Sequence, residues 1–417
     1  MKEKNLKAMY RSMQGDPFPH NIEVSFIDKD ERQTLFYEKT SWTINGEVKG
    51  LRYGENPDQP AALYKLVNGN LVLGDVQSIN PGLYLASDVE LLQSGKHPGK
   101  INITDVDAAL NILRYLAESP AAVVVKHNNP SGAARGETLY EAYDKALMAD
   151  RIAAYGGAVA LNRQVDRDTA EAISQSYCEV VVAPDYGTGC VDILANRKNL
   201  RIMRIDRIDR LQEYQGERVV EFKALIDGGM AVQWSYVPKA REKQDLALAE
   251  AVYRGKQYKI DREPTEQEYS DMIFGWLVES GVTSNSVLYV KDGVTAAIGT
   301  GEQDRVGVAD IAKLKAYRNT ADRICWKKHG IPWLECDDPE LKSEVQKQVE
   351  KTHGGLAGSI MISDAFFPMP DGIEVGLNEG VTGVVQPGGA MRDHDIIQAC
   401  NRYGATMVFT GQRSFRH

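Results

Sequence analysis

Strand-like and helix-like stretches alternate along this sequence, two of these runs resemble each other, and polar loops follow the strand-like segments. Together they predict an α/β protein with an internal duplication, its site in loops at the strand ends. The first run is GGAVALNRQVDRDTAEAI, a glycine-edged strand leading to a helix start at Asp168. The second, GSIMISDAFFPMPDGIEVGL, does the same at Asp371. Each start carries an acidic cap with a glutamate one turn on, Glu171 and Glu374, which predicts a capping box. Each helix then meets an apolar strand ending in proline, CEVVVAP and VTGVVQP. The interval from cap to proline is equal, Asp168 to Pro184 and Asp371 to Pro387.

Residues 1–50 are polar and mixed, and read as an extension ahead of the first unit, residues 51–205. In that unit VVVKHNN is a strand breaking into a turn; in the second, VLYVKDG is its counterpart, so Lys126 and Lys291 occupy similar strand ends. Residues 206–275 are charged and helix-prone, and predict a helical connector with a solvated face. The second unit covers 276–417, and its longer gap between lysine and glycine-edged strand predicts an insertion near 310–355.

Bulk properties exclude several classes. A chain of 417 residues with 43% hydrophobic and 26% charged residues has length for sizeable cores. Net charge −9 lacks the basic footprint of a nucleic-acid binder. No apolar run is long enough to span a bilayer, and the charged start MKEKNLKAMYRSMQGD has no signal-peptide core, so a cytoplasmic protein without membrane partners is expected. The five cysteines (Cys178, Cys190, Cys325, Cys336, Cys400) are scattered with no CxxC pair, against both a disulfide framework and a zinc knot. The zinc deaminase signature HxE…PCxxC is missing, as are HExxH, a P-loop and a GxSxG elbow. Gly299-Thr-Gly301 opens like a dinucleotide loop, but Asp304 stands where the third glycine would be, and a tight turn is the better reading.

What remains is a set of loops carrying Arg, Asn, Gly and Asp. Alone, each is a turn; together they suit an anionic, hydrogen-bond-rich small molecule. The adjacent titratable pair Lys126-His127 at a strand end is the natural place for chemistry, although such a pair on its own is as readily a solvated turn.

The set LRYGENP, KHNNPSG, AYGGAVALNR, SNSV, SDAFFPMPDG, QPGG and the terminal FTGQRSFRH resembles the AICAR transformylase part of the bifunctional purine-biosynthesis family that also carries IMP cyclohydrolase. The motifs run in the family's order over about residues 50–417. The resemblance implies two tandem cytidine-deaminase-like α/β units without zinc. It further implies formyl transfer from 10-formyltetrahydrofolate to the 5-amino group of aminoimidazole carboxamide ribonucleotide (AICAR), in a homodimer with sites at the interface. With no match to the cyclohydrolase half, a free-standing transformylase without ring-closing activity is expected.

By the same resemblance, His127 is the base that takes the proton of a poorly nucleophilic amine, a task suited to a group titrating near working pH. Lys126 then stabilises the oxyanion and supplies a proton to the departing folate nitrogen. Arg52 and Tyr53 match a nucleotide-contacting pair, with Arg52 toward the phosphate; Gly156, Glu179, Asn285, Arg305, Phe366, Asp371 and Arg413 match AICAR-contacting positions. Ile152, Val306, Pro368, Ala390 and Met391 match the folate side. Phe415 and His417 match the chain end near which some members hold potassium. The sequence departs from the family pattern at Asp58, usually histidine, at Glu179, usually aspartate, and at Ser131, usually another small residue or cysteine. A paralogue that binds a purine nucleotide or folate without turnover is the alternative reading, separated from the first by the effect of removing His127.

Overall fold

The computed structural model describes Met13, residues 15–74 and residues 81–417; residues 1–12 and 14 of the expected extension lie outside the described residues. Strands β1 (Asn21–Asp28) and β2 (Glu31–Thr40) are followed by short β3 (Trp42–Ile44) and β4 (Glu47–Lys49), then β5 (Leu63–Gly69) and β6 (Glu90–Gln93). Helix α1 (Lys100–Leu113) leads to β7 (Ala121–Lys126), β8 (Asn129–Arg135), α2 (Leu139–Ala149) and the one-turn α3 (Arg151–Ala154). Next come β9 (Ala158–Leu161), α4 (Arg167–Gln175), β10 (Val180–Ala183), α5 (Cys190–Ala195) and β11 (Arg201–Arg204). Two hairpins, β12 (Val220–Ala224) with β13 (Met230–Trp234) and β15 (Glu250–Tyr253) with β16 (Lys256–Lys259), flank the short β14 (Ala247–Leu248). Helix α6 (Glu266–Glu279) opens the last run: β17 (Ser286–Lys291), β18 (Val294–Thr300), α7 (Arg305–His329), α8 (Pro339–Lys351) and β19 (Ile360–Ser363). It ends with α9 (Pro370–Leu377), β20 (Gly383–Gln386), α10 (Asp393–Arg402) and β21 (Thr406–Phe409). One order of elements, a hairpin, helices, then three strands separated by helices, occurs over both β7–β11 and β17–β21.

The chain forms two compact units: residues up to Ala117 with Gly156–Val237, and Glu118–Tyr155 with Pro238–His417. In the first, β9, β10 and β11 are parallel, and β6 runs antiparallel on β11. Strands β9 and β10 read AVAL and VVVA with every residue buried, as a strand covered on both faces requires. In the second unit β7 and β8 form a hairpin, β8 meets β18 at Ala134 and Val294, and β18 pairs β17. Strand β17 continues antiparallel to β19, after which β19, β20 and β21 are parallel and β14 closes the edge. Val287, Tyr289, Val308, Ala312, Met361, Ile373, Val384, Ile396 and Met407 belong to one buried apolar cluster joining these strands to α7, α9 and α10. Among the described residues no helix is long and apolar enough to cross a membrane.

Four expectations change. The boundary at residue 50 dissolves because β2 pairs both β1 and β5, one antiparallel sheet running across it. The helical connector over 206–275 is not what forms: a 3-10 turn at Asp206–Tyr214 gives way to the two hairpins, and α6 is the only α-helix there. Alternating VEFKA and MAVQW around a glycine turn outweigh the charge that suggested a helix. Third, the β7–β8 hairpin lies in the same unit as the C-terminal run. Its edge bonds a strand distant in sequence, with Ala133 N donating to Thr295 Oγ1 at 3.0 Å.

Last, Asp168 and Asp371 are not caps. Asp166 caps α4, accepting from Thr169 N at 2.8 Å, while Met369 precedes α9 and Pro370 fills its first position, where an N–H is not needed. Both expected caps lie within the first turn, where a carboxylate still favours the positive end of the helix.

Candidate functional site

Strand β7 delivers Lys126 and His127 into a two-residue hairpin turn closed by the Lys126–Asn129 pair. His127 has φ +56° and Asn128 φ +61°, the left-handed conformation that such tight turns demand at both central positions. Asparagine tolerates it; histidine, with its bulkier side chain, is an uncommon choice there, and the ring is exposed at the tip. The corresponding turn after β17 is Asp292-Gly293, at φ +54° and +69°. Lys126 Nζ donates to the Tyr155 carbonyl at 2.8 Å, which holds the ammonium beside the turn. Asn129 Oδ1 accepts from Thr283 N at 3.0 Å and Thr283 Oγ1 at 2.6 Å, tying the turn to the loop that contains Asn285.

That loop meets the start of α7. Asp304 caps the helix through Gly307 N, so Arg305 occupies its first turn. Arg305 Nη2 donates to Asn285 Oδ1 at 2.8 Å, and Nη1 donates to the Asp364 carboxylate, the Ser363 hydroxyl and the Ser286 carbonyl. Asn285 Nδ2 donates in turn to the Gln303 carbonyl at 2.8 Å. The guanidinium is therefore fixed by a fully buried carboxylate, with its side chain only 9% exposed.

The C-terminal tail is laced onto the same segment. Ser414 N donates to the Asp364 carbonyl at 2.8 Å, Ser284 N to the Arg416 carbonyl at 2.9 Å, and Arg416 Nη1 to the Gly281 carbonyl at 2.7 Å. Arg413, next to Ser414, places its guanidinium 4.5 Å over the Phe415 ring.

Phe366 and Pro368 belong to the loop after β19, and Ala390 and Met391 to the loop after β20. Gln386 and Asp393 brace both: Gln386 Oε1 accepts from Phe367 N at 2.9 Å, and Asp393 Oδ2 accepts from Gly389 N and Ala390 N at 2.7 and 3.0 Å. The loops present Phe366, 44% exposed, and Met391, 92% exposed, as apolar surface. Asp371 accepts from Gly372 N in the first turn of α9, and Val306 follows Arg305 in α7. Ile152 lies in α3, two positions from the Asp150 carboxylate that accepts from Ala153 N.

Arg52, Tyr53, Gly156 and Glu179 belong to the other unit. Arg52 Nη2 donates to Tyr53 Oη at 2.7 Å and Nη1 to the Lys96 carbonyl at 3.0 Å, with the guanidinium 4.4 Å from the Tyr53 ring centre. Glu179 Oε2 accepts from Arg201 Nη1 and Asn102 Nδ2, both at 3.2 Å. Arg201 is 1% exposed; burial pulls its pKa down, the Glu179 carboxylate opposes that, and the Arg52 charge adds to it. Gly156 has φ +77° and donates from N to the Tyr177 carbonyl at 2.8 Å, where Tyr177 also acts on Arg201. The Arg52 charge thus acts on an Arg201 guanidinium that is paired with Glu179, which makes this corner of the unit electropositive. Sequence reasoning missed Arg201, Asn102 and Asp364. Arg201 opens a strand and reads there as an edge residue; only the β10–β11 register sets it beside Glu179.

A cavity of about 620 Å³ lies in the same unit at the carboxyl ends of β9–β11, lined by Asn162, Arg163, Asp185, Arg204 and Asp206 among others. None of the expected residues lines it. Arg204 is committed to Glu90 at 2.6 Å and Arg163 to the Asn162 and Ala117 carbonyls, so the concavity offers little unspent charge.

Among the described residues no three His, Cys, Asp or Glu side chains group to hold a metal, and all five cysteines are buried and unpaired. At the chain end the Phe415 and His417 rings meet edge-on at 5.7 Å. A hard cation there would depend on backbone oxygens, among them that of Arg416, which also accepts from Ser284 N.

The family model described as AICARFT/IMPCHase bienzyme matches residues 18–315. A protein named bifunctional purine biosynthesis protein PurH, from Ruegeria sp. (strain TM1040), is 39% identical over 369 residues, 88% of this chain and 59% of that protein. Proteins of the same name from Oceanobacillus iheyensis and Bacillus subtilis (strain 168) are each 35% identical over 410 residues, 98% of this chain and 65% and 67% of theirs. The chain thus spans about six tenths to two thirds of the length of these relatives.

Proposed function

Because the chain belongs to the AICARFT/IMPCHase bienzyme family, we propose that it transfers the formyl group of 10-formyltetrahydrofolate to the 5-amino group of AICAR, releasing FAICAR and tetrahydrofolate in purine biosynthesis. The observation that carries this reading is the Lys126-His127 turn, a titratable pair at a rigid strand end tied through Asn129 to the loop of Asn285. The recurrence of one element order over β7–β11 and β17–β21 supports the cytidine-deaminase-like duplication the resemblance implies.

His127 removes the proton of the amine as its nitrogen attacks the formyl carbon, a role open to an exposed imidazole on a fixed backbone. The carbonyl oxygen becomes an oxyanion, which Lys126 stabilises before protonating the departing folate nitrogen. By the resemblance, Arg52 is the residue toward the nucleotide phosphate. Asn285, Arg305 and Arg413 orient the nucleotide, and Phe366, Pro368, Ala390 and Met391 offer apolar surface to the folate. Following the resemblance, the protein acts as a homodimer. Every residue carried over belongs to formyl transfer, so the expected product is FAICAR and not IMP.

The test is absorbance-monitored formation of tetrahydrofolate from the two substrates, with wild type beside His127→Ala. Turnover by wild type and its loss in the variant, with AICAR binding kept, supports the assignment. AICAR binding without turnover in wild type, unchanged by His127→Ala, would instead identify a binding paralogue.

A further inference from the structure

Glu279, the last residue of α6, is a fully buried ionisable group that the mechanism does not use. Its Oε1 accepts from the Ser286 hydroxyl, and Ser286 is the first residue of β17, directly after Asn285. Its Oε2 is shut off from solvent and has no hydrogen-bond partner, and the same is true of Oδ2 of Asp364. Asp364 spends its other oxygen on Arg305, which also donates to the Ser286 carbonyl. Three ionisable groups from α6, the end of β19 and the start of α7 are thus sealed around Ser286, two of them carboxyls and one a guanidinium.

Charge counting decides their states. With both carboxyls ionised, one negative charge would be buried without a counter-charge, an arrangement costing several kcal/mol by general experience with such groups. A single proton shared out to one carboxyl removes it. Asp364 is bonded directly to the guanidinium and so has its counter-charge beside it. Glu279, bonded only to a neutral hydroxyl, takes the proton. Burial, reinforced by the Asp364 charge, pushes the Glu279 carboxyl well above the usual carboxylate range, in keeping with this count. Protonation also turns Oε2 into a donor, next to a group whose leftover Oδ2 is an acceptor.

We propose that Glu279 is a neutral carboxylic acid that positions Arg305, acting through Ser286 and Asp364, so that the guanidinium stands ready for an anionic nucleotide. That the nucleotide is AICAR rests on the function proposed above; the protonation and the positioning do not. Glu279 touches no reacting atom in this account and is a positioning residue.

The experiment uses the full chain as wild type, Glu279→Gln, Glu279→Ala and Ser286→Ala. Infrared difference spectra at neutral pH should show a protonated-carboxyl band in wild type that is lost in Glu279→Gln and shifted in Ser286→Ala. Nitrogen-resolved NMR of the guanidiniums should show the slowly exchanging Arg305 signals kept in Glu279→Gln and lost in Glu279→Ala. AICAR affinity should stay within about twofold of wild type in Glu279→Gln from about pH 6 to about pH 9, and weaken at least about tenfold in Glu279→Ala.

A wild type without the band, or a Glu279→Gln variant whose affinity diverges from wild type as pH changes, overturns the neutral acid. Unchanged Arg305 signals in Glu279→Ala overturn the positioning. Should wild type fail to bind AICAR, the functional reading falls while the infrared and NMR arms still decide the inference. Should Glu279→Gln not fold, the wild-type band and its shift in Ser286→Ala decide it.

Discussion

The Lys126 ammonium donates to the backbone carbonyl of Tyr155 at 2.8 Å, and the equivalent Lys291 ammonium donates to that of Ala357 at 2.7 Å. Both lysines end the first strand of a tight hairpin, and both reach a carbonyl beyond the helices that follow. The residue after each lysine differs. An imidazole, His127, follows the lysine at one turn, and an aspartate, Asp292, followed by Gly293, at the other. The two hairpins therefore share a lysine anchor and differ in the side chain that follows it.

His127→Ala is expected to lower kcat for formyl transfer by about 10²–10⁴-fold, the usual worth of a general base, while AICAR affinity changes only a few-fold. Lys126→Met should lower kcat by about 10²–10³-fold with little change in KM, as loss of oxyanion stabilisation does. Initial rates of tetrahydrofolate formation and calorimetric AICAR titration measure both. A His127→Ala enzyme as fast as wild type would remove histidine from the chemistry.

The left-handed turn predicts a backbone effect separate from catalysis. Asn128→Val places a β-branched residue at φ +61° and should cost about 1–2 kcal/mol, read as a lower urea midpoint. Asn128→Gly should be neutral or slightly stabilising.

Gly132 in β8 lies against α2: a Cβ there would sit 2.0 Å from the Ala146 carbonyl oxygen and 2.8 Å from Ala149 Cβ. Helix and strand would have to separate, so Gly132→Ala is expected to lose about 3 kcal/mol of stability in denaturant titration. A loss below 1 kcal/mol, roughly the noise of neutral substitutions, would show that the contact yields easily.

Glu179→Gln leaves Arg201 buried without its carboxylate. A fully buried broken pair costs about 3–5 kcal/mol, but the Glu179 side chain is 36% exposed, so about 1–2 kcal/mol is expected. Glu179→Asp keeps the charge and should recover most of it. Matched urea titrations of the three proteins decide this, and an unaltered Glu179→Gln would show that water serves Arg201 as well.

Acid should weaken the start of α6 through Glu268. Burial raises its pKa, but hydrogen bonds from Arg262 and from the Thr265 backbone outweigh that and bring it down from 4.5 to about 2. A depressed carboxylate stabilises the fold fully above about pH 4.5 and loses that contribution as pH falls toward 2. Arg262 is 38% exposed, and screening by water reduces the gain to about 1 kcal/mol. Glu268→Gln should flatten stability against pH in this window; an identical acid limb in the variant would assign the sensitivity elsewhere.

Local pattern was enough for the strands that carry the site. Unbroken apolar runs such as AAVVV and VVVA announce strands buried on both faces, and the glycines, prolines and asparagines around them announce their ends. The repeated order of elements and the Lys126-His127 pair were legible for the same reason, since each is a matter of neighbours along the chain. Charge density over 206–275 misled, because solvated hairpins and solvated helices both carry charge. The caps were misplaced by two residues at both helices: at the first, two aspartates compete and the hydrogen bond of Asp166 settles which one serves, and at the second the cap position is Met369, with no side-chain cap.

What the sequence by itself determined about this protein is an α/β order, the buried strands and the turn that ends at Lys126 and His127. The tertiary structure alone decided which residues share charge: Glu179 with Arg201 through the β10–β11 register, Arg305 with Asp364 from distant elements, and Glu279 beside them with no ion partner. The physical reason is range. Periodicity and turn chemistry act between residues a few positions apart, whereas the protonation and orientation of a buried group depend on whatever the fold packs against it.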